Sequence, residues 1–598
     1  MTRWLSRAYI VWRRDGFLAV LRRARMRLAL ALGHAQDEGS FPYAAWIAEN
    51  EPDDTALDRQ RIAAEKLVPK PLFSVLPCPP PVGRRALQDL IQSLERQTYT
   101  NWEVVLPPEV TASSGDVGAI PTRARGEWLV VLSRGARLAP DALYEAACRL
   151  GRGDADALYA DHDLLDAVGR RTQPFFKPEF SAELLFSTDY FAPAFFVRAS
   201  LLATTPAPHT QAEHWDLALQ VAEQARCIAH VPRVLASATH HGDAESGRAP
   251  VAAYLARRGL DAYAEVNGAG CLRVRWSAPP TSVAVVIPTR DGVTHLRPCL
   301  DSLARTKGRI EIVIVDNGST DPATLRFLAD NESAGHIRVL RRPGPFNWAA
   351  LNNCGARACE SEVLAFLNDD VEALSEDWLE ELSGWAMLPE VGVAGGLLLR
   401  PDSTVQHAGV ALGLGGLAAH PFESQREDAQ GPLGAVRWYR NWLAVTGACQ
   451  VLRREVFDVM GGFDDSFTAL FSDVEFCLRC WRHGLRIVFT PFARLLHHHG
   501  TTRGGDERMP PHDFCIARAR FSDLLTSGDP YFSPNLSRWS AVPTLRRRGE
   551  TDAMLWLETL TALLAERFPG DEGTRPQLMS PLASEVAARL RDLHRKAP

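Results

Sequence analysis

No stretch of the 598 residues is apolar for long enough to span a bilayer, which takes about 20 consecutive apolar residues. A cleavable leader is not expected either, because Arg3, Arg7, Arg13 and Arg14 interrupt the apolar positions of the N-terminus. The 11 cysteines are odd in number and scattered, which argues against a disulfide framework and fits reduced thiols. Cys477 and Cys480 form a C-x-x-C, but no second pair lies at zinc-ribbon spacing, and their setting EFCLRCW reads as a buried helix face. Positive charge is not in excess: the net charge is −6 and the pI about 6.3, so no global field favours nucleic acid.

What is present is an ordinary globular composition, 46% hydrophobic and 23% charged, in a chain too long for one core. Residues 1–70 read as a helical region. Its first part mixes Trp4, Ile10, Val11, Phe17, Leu18 and Leu21 with arginines, a basic amphipathic pattern that can lie on an anionic membrane face. A helix packed on its own protein with a solvated Arg face fits the same pattern. Two later segments repeat one another. FSVLP (73–77), the helical LQDLIQSLERQ and WEVVLPP form one strand–helix–strand unit; VAVVIPTRD (283–291), LRPCLDSLAR and IEIVIVDNGSTD form the other. Short Val/Ile-rich runs of this kind are the mark of buried parallel strands. The expected fold class is α/β: two tandem Rossmann-like units with mostly parallel sheets, at 71–276 and 277–540, followed by a helical region 541–598.

The stretch AFLNDDVEALSEDW (365–378) carries the most chemistry. An apolar strand runs directly into Asn368, Asp369 and Asp370. Adjacent carboxylates at a strand exit repel each other, and a divalent cation with a diphosphate gives a reason to place them there. A helix-capping turn is the plainer reading. Pro288, Thr289 and Asp291 fall at the carboxyl end of the unit's first strand, and Asp316, Asn317 and Ser319 at that of the next, where open α/β sheets bind ligands. Asn347 and Asn353, in PFNWAALNNCGARAC, are either nucleotide contacts or helix-terminus residues. The glycine-dense VQHAGVALGLGG reads as a loop with close backbone approach. Asp473 and Glu475 open a helix, as dipole caps or as carboxylates aimed into a cleft. The run His497–His499 follows a strand and precedes Thr501, Thr502 and Arg503; a neutral imidazole there is a suitable further ligand for the metal.

In this order, VVIPTRD, VDNGST, PFNWAALNN, FLNDDVE, HAGVALGLGG, AVTGAC, GGFDDSF, SDVEFCLR and HHHG–TTRG resemble family 2 glycosyltransferases of the GT-A fold, of the bacterial O-antigen or polysaccharide type. The resemblance implies a nucleotide-diphosphate sugar donor, Mn²⁺ or Mg²⁺, and inversion at the anomeric carbon. Carried over by position, it implies that Asp316 contacts the base and that Asn368 and Asp369 face the nucleotide sugar. It makes Asp370 and His497 the metal ligands and Asp473 the base for the acceptor hydroxyl, with Arg503 steadying the diphosphate. Pro288, Thr289, Asp291, Asn317, Ser319, Asn347 and Asn353 complete the expected donor site, and Glu475 is the expected acceptor contact. The base segment departs from the family pattern at Ser472 and Glu475, and His499 stands where an acidic residue is common.

The first repeat resembles the same family through QTYTNWEVV, APDALYEAACRL and ALYADHDLLDAVGRRTQPFFKPEF. Ser133, Arg134, Gly135 and Ala136 stand where carboxylates are expected, and no VDNGST-like segment follows WEVVLPP. An Arg cannot ligate a cation, so this unit is expected not to transfer sugar; catalysis through Asp161, His162 and Asp163 is the alternative. The implied partners are the sugar donor, a glycan or lipid-linked glycan acceptor and, through the N-terminal helix, the inner face of the cytoplasmic membrane. A sugar nucleotidyltransferase and a non-catalytic glycan-binding scaffold are the competing readings.

Overall fold

The computed structural model describes residues 41–78, 84–106, 124–202, 210–240, 242–277, 282–498 and 510–550. The amphipathic segment before residue 41 and the helical region expected beyond 550 lie outside them.

The first unit is built on β1 (Phe73–Pro77), β2 (Trp102–Val104), β3 (Trp128–Leu132), β4 (Arg137–Leu138), β5 (Ala157–Leu165), β6 (Arg171–Phe175), β7 (Ala194–Arg198) and β8 (Ile228–Ala238), in the order β2-β1-β3-β7-β5-β8-β4 with β6 beside β5. A hairpin, β9 (Ala262–Val266) and β10 (Leu272–Trp276), leads to the second unit. That unit contains β11 (Val283–Thr289), β12 (Ile310–Asp316), β13 (Arg338–Arg341), β14 (Val363–Leu367), β15 (Val371–Ala373), β16 (Val391–Leu399) and β17 (Val405–His407). After two short ribbons, β18 with β19 (Ala411–Leu412, Ala418–Ala419) and β20 with β21 (Gln430–Gly431, Gly434–Ala435), it closes with β22 (Arg440–Trp442), β23 (Cys449–Arg453) and β24 (Arg486–His497). Its sheet runs β13-β12-β11-β14-β23-β16-β24-β15.

From β2 to β4 and from β12 to β15 the two orders correspond strand for strand, with the same polarity at every step. The repeat seen in the sequence is therefore a duplicated α/β unit. Pairing is parallel from β13 through β14 and mixed beyond it, because β23 enters antiparallel between β14 and β16. The central strands read as unbroken apolar runs because helices cover both faces: all seven residues of β11 and all five of β14 are buried.

The units share one core. Trp385, 1% exposed, meets Trp276 of β10 edge-on at 5.1 Å and packs on Phe186 of the first unit at 5.6 Å. Burying about 200 Å² of indole at roughly 25 cal/mol per Å² contributes about 5 kcal/mol before entropy. Arg486 of β24 pairs with Glu183 of the first unit at 2.9 Å, and Asn441 of β22 donates its amide to Ser181 Oγ at 3.0 Å. The helices Tyr43–Asn50 and Asp54–Glu65 also sit on the first unit; Trp46 packs on Phe176 at 4.9 Å, and Arg171 pairs with both Glu51 and Asp163 at 2.6 Å. All 11 cysteines are free thiols, and Cys477 and Cys480 are core residues, as their helical setting predicts. Among the described residues no helix is long and apolar enough to cross a membrane.

Candidate active site

The ends of β11 and β12 lie side by side, Thr289 opposite Asp316. Asp291 takes a left-handed backbone (φ 52°) and turns its carboxylate onto the amides of Thr320 and Asp321, each at 2.7 Å. Its own amide donates to Ser319 Oγ at 2.9 Å, and Ser319 Oγ donates to Asp316 Oδ1. Asp316 Oδ2 accepts from Arg341 at 2.8 Å. Both oxygens of Asp316 are thus held by protein donors, and the group it presents at this edge is the half-exposed guanidinium of Arg341. Sequence reasoning missed Arg341. Pro288 is buried within β11.

Where β14 ends, the chain turns through Asn368, Asp369 and Asp370 into β15. Asp369 and Asp370 are each 2% exposed. Asp369 Oδ2 accepts from Thr289 Oγ1 at 2.7 Å, which ties the turn to the end of β11. Asn368 Oδ1 accepts from the Trp348 indole at 3.1 Å. The register of β15 on β24 sets Val371 opposite His497, so Asp370 Oδ1 comes within 3.3 Å of His497 Nε2. His497 Nδ1 faces Gln406 Oε1 at 3.3 Å. With that nitrogen as the donor, the Nε2 lone pair points at a carboxylate oxygen. Two lone-pair atoms so placed favour a cation between them. Adjacent ligands of an octahedral ion with bonds of about 2.1 Å lie about 3 Å apart, and an O,N pair suits Mn²⁺ or Mg²⁺. Among the described residues no third His, Cys, Asp or Glu joins the pair to make a closed cage. The two residues fit a divalent ion of this kind.

One turn, Thr446–Gly447–Ala448, wires this pair to the rest of the site. Ala448 O accepts from the Asn368 amide at 3.1 Å, Gly447 N donates to Asp473 Oδ2 at 2.6 Å, and Thr446 N donates to His407 Nε2 at 3.4 Å. Asp473 lies in the first turn of the helix Ser472–Arg482, which follows Phe471 in a left-handed conformation (φ 69°). The loop before it is anchored by buried Asp513, which accepts the amides of Thr468, Ala469 and Leu470. Burial pushes the Asp473 carboxyl above the ordinary range, against the pull of the Gly447 and Val474 amides. A carboxylate poised in this way suits a general base.

Several expected contacts prove to be scaffolding. Asn347 caps the helix Trp348–Arg357 through the Ala350 amide at 2.8 Å and donates to Asp465 O and Phe467 O. Asn353, in the middle of that helix rather than near its start, grips both backbone groups of Phe463 at 2.8 Å. Asn317 clamps the carbonyls of Arg342 and Gly344. Glu475, 2% exposed, is bound to Arg479 at 2.9 Å and Arg520 at 3.4 Å, so it joins two helices rather than facing an acceptor. A sequence reads such amides and carboxylates as ligand contacts because it does not reveal which backbone groups lie within reach. The glycine-dense loop does bring backbone close, with Gly409 against the Trp442 indole, but it also contains β17 and β18. Arg503 and His499 lie outside the described residues.

The equivalent place in the first unit has other chemistry. Ala136 N donates to Ser133 O at 3.1 Å as Val371 N does to Asn368 O at 3.3 Å, so Ser133, Arg134 and Gly135 replace Asn368, Asp369 and Asp370. Gly135 stands where Asp370 does, and the register of β4 on β8, with Arg137 opposite Ser237, puts Ala238 where His497 is, so neither half of the carboxylate–imidazole pair is present. In the corresponding helix, Gln211–Gln224, His214 is buried and pairs with Asp189 at 2.6 Å. Asp161 and Asp163 are fully buried and His162 nearly so; Asp161 binds His230 and the Lys177 amide, and Asp163 binds Tyr43 and Arg171. The two carboxylates of that trio are thus engaged by structural partners, the helix residue Tyr43 among them.

Comparisons with known proteins bear on both units. Residues 284–461 match the profile "Glycosyl transferase family 2", and residues 431–520 the profile "Glycosyl transferase family group 2". The chain is similar to the O-antigen biosynthesis protein RfbC of Myxococcus xanthus, 34% identical over 567 residues, covering 87% of this chain and 44% of that protein. It is also similar to an N-acetylglucosaminyl-diphospho-decaprenol L-rhamnosyltransferase of Mycobacterium tuberculosis, 27% identical, covering 37% of this chain and 78% of the relative. It spans 44% and 56% of the first two curated relatives it matches. Among solved structures, GalNAc-T7 with UDP, GalNAc and Mn²⁺ aligns at 18% identity and a TM-score of 0.33, covering 38% of this chain and 46% of that one. The second α/β unit carries both the match to the family 2 profile, over residues 284–461, and the carboxylate–imidazole pair.

Proposed function

We propose that the second unit is an inverting glycosyltransferase, moving a sugar from a nucleotide-diphosphate donor to a hydroxyl of a glycan or lipid-linked glycan in surface polysaccharide synthesis. The observation that carries the reading is the turn at Thr446–Ala448, which joins Asp473 to the Asn368–Asp370 turn. The names of the relatives, O-antigen biosynthesis and rhamnosyl transfer to a lipid-linked sugar, favour the same chemistry.

Asp370 and His497 would hold a divalent ion, Mn²⁺ or Mg²⁺, which supplies charge neutralisation of the departing diphosphate when bound. A sugar hydroxyl is a weak nucleophile. Asp473 takes its proton as the oxygen attacks the anomeric carbon, while the bond to the diphosphate breaks on the opposite face. The Gly447 amide holds the carboxylate in place, so its orientation is set before the acceptor arrives. Asp369 and Asn368, fixed by Thr289 and Trp348, form the donor side, and Arg341 with Asp291 and Ser319 form the nucleoside edge. No covalent nucleophile is required, and a single displacement inverts the centre. The first unit does not transfer sugar in this reading; it braces the second through the shared core.

The test is nucleotide release from a donor panel with Asp473→Asn beside the wild type. Retained donor affinity with turnover lowered about 10²–10⁴-fold supports the base assignment. Unchanged turnover removes it.

A further inference from the structure

His407 and His420 were not among the residues expected to act, yet they lie on the Asp473 side of the site. His407, at the end of β17, is fully buried. Its Nε2 faces two backbone amides, Gly409 at 3.3 Å and Thr446 at 3.4 Å. Amides only donate, so Nε2 is the unprotonated nitrogen and the ring proton sits on Nδ1. That Nδ1 lies 2.9 Å from His420 Nδ1, with the two rings nearly perpendicular (87°). His407 is therefore the donor, His420 Nδ1 the acceptor, and the His420 proton is left on Nε2. The Gly409 carbonyl, 3.2 Å from His420 Nδ1, would otherwise favour a proton there, but that would set two N–H groups against each other. Burial holds His407 neutral, well below the ordinary histidine range. His420 is half-buried. The Thr446 and Gly447 amides, consecutive in the chain, hold His407 and Asp473 respectively, so the histidine pair and the base share one rigid turn.

We propose that His420 orients the acceptor hydroxyl toward Asp473, donating from Nε2–H to the hydroxyl oxygen, and that His407 is the positioning residue that sets its tautomer. This rests on the glycosyltransferase reading. The acceptor O–H bond breaks and its proton goes to Asp473; the oxygen bonds to the anomeric carbon, and the bond from that carbon to the diphosphate oxygen breaks. His420 keeps its proton throughout.

The test has two parts, both on the full chain. Nitrogen-15 spectra of histidine-labelled protein read the tautomers: Nδ1–H is expected for His407 and Nε2–H for His420, with the His420 preference lost in His407→Ala. Kinetics with UDP-N-acetylglucosamine, GDP-mannose and dTDP-L-rhamnose, each with Mn²⁺, read nucleotide release. His420→Ala and His407→Ala should lower kcat about 10–100-fold with donor KM unchanged. His420→Gln, whose amide N–H₂ falls near Nε2, should recover more activity than His420→Asn, whose amide falls near Nδ1. An Nδ1–H tautomer at His420, equal rates for Gln and Asn, or a raised donor KM at unchanged kcat would overturn the proposal. No nucleotide release by the wild type, with the tautomers as expected, would instead overturn the glycosyltransferase reading on which it rests.

Discussion

Gly447 donates its amide to Asp473 Oδ2 at 2.6 Å, and a side chain at 447 would press on the group it holds: a Cβ there would lie 2.9 Å from Asp473 Cβ and 2.8 Å from the Trp348 ring. Neither neighbour is the loose end of a flexible chain. Gly447→Ala should therefore cost about 1–3 kcal/mol by overpacking and misalign the base as well. Thermal unfolding and kcat are the measurements, and both should fall. A kcat that stayed unchanged at a lowered Tm would detach the turn from catalysis.

The raised pKa of Asp473 sets a sign for the pH dependence. A base must be ionised to accept a proton, so turnover falls as pH drops through that pKa, and the acid limb lies above the usual aspartate range because burial disfavours the charged form. A kcat–pH profile shows this directly. An acid limb at the ordinary aspartate value would mean that the carboxylate is solvated during turnover.

Glu475 is a strut rather than an acceptor contact. It is 2% exposed and grips Arg479 at 2.9 Å, and removing it leaves that guanidinium without its carboxylate. Glu475→Ala should cost about 3 kcal/mol, read from denaturant midpoints, with acceptor KM little changed. A raised acceptor KM at full stability would restore the role expected from its place two residues after the base.

Lys177 of the first unit is fully buried, and its ammonium donates to the Ala192 carbonyl at 2.9 Å. Burial lowers its pKa to about 7, while Asp161 and Asp189 pull the other way. The unfolded chain then binds the proton more tightly than the folded one, so this group makes stability rise with pH from about 7 toward the ordinary lysine value. Lys177→Met should raise Tm near pH 6 and flatten that slope. Melting curves across pH decide it; a slope unchanged by the substitution would mean that the ammonium is solvated or paired.

Strand runs, the duplication and the NDD turn were legible in the sequence because each is local. VAVVIPT is apolar at almost every position, and a strand buried on both faces leaves that mark whatever surrounds it. The pairing of Asp370 with His497 was also within reach, since the resemblance placed both residues at strand ends. The rest depends on long-range backbone contacts. Asn353 and Asn317 look like ligand contacts until the carbonyls of Phe463 and Arg342 are found beside them. The same blindness hid His407 and His420, whose meaning lies in the Gly409 and Thr446 amides. Arg341 was missed because its partner Asp316 sits on a neighbouring strand.

The most direct test of the account is donor binding. Nucleotide sugars are titrated by calorimetry into the wild type and Asp370→Ala, with Mn²⁺, with Mg²⁺ and with EDTA. The account predicts metal-dependent binding of one donor at one site per chain, lost in EDTA and in Asp370→Ala. Equal affinity in EDTA, two sites per chain, or binding that survives Asp370→Ala would contradict it.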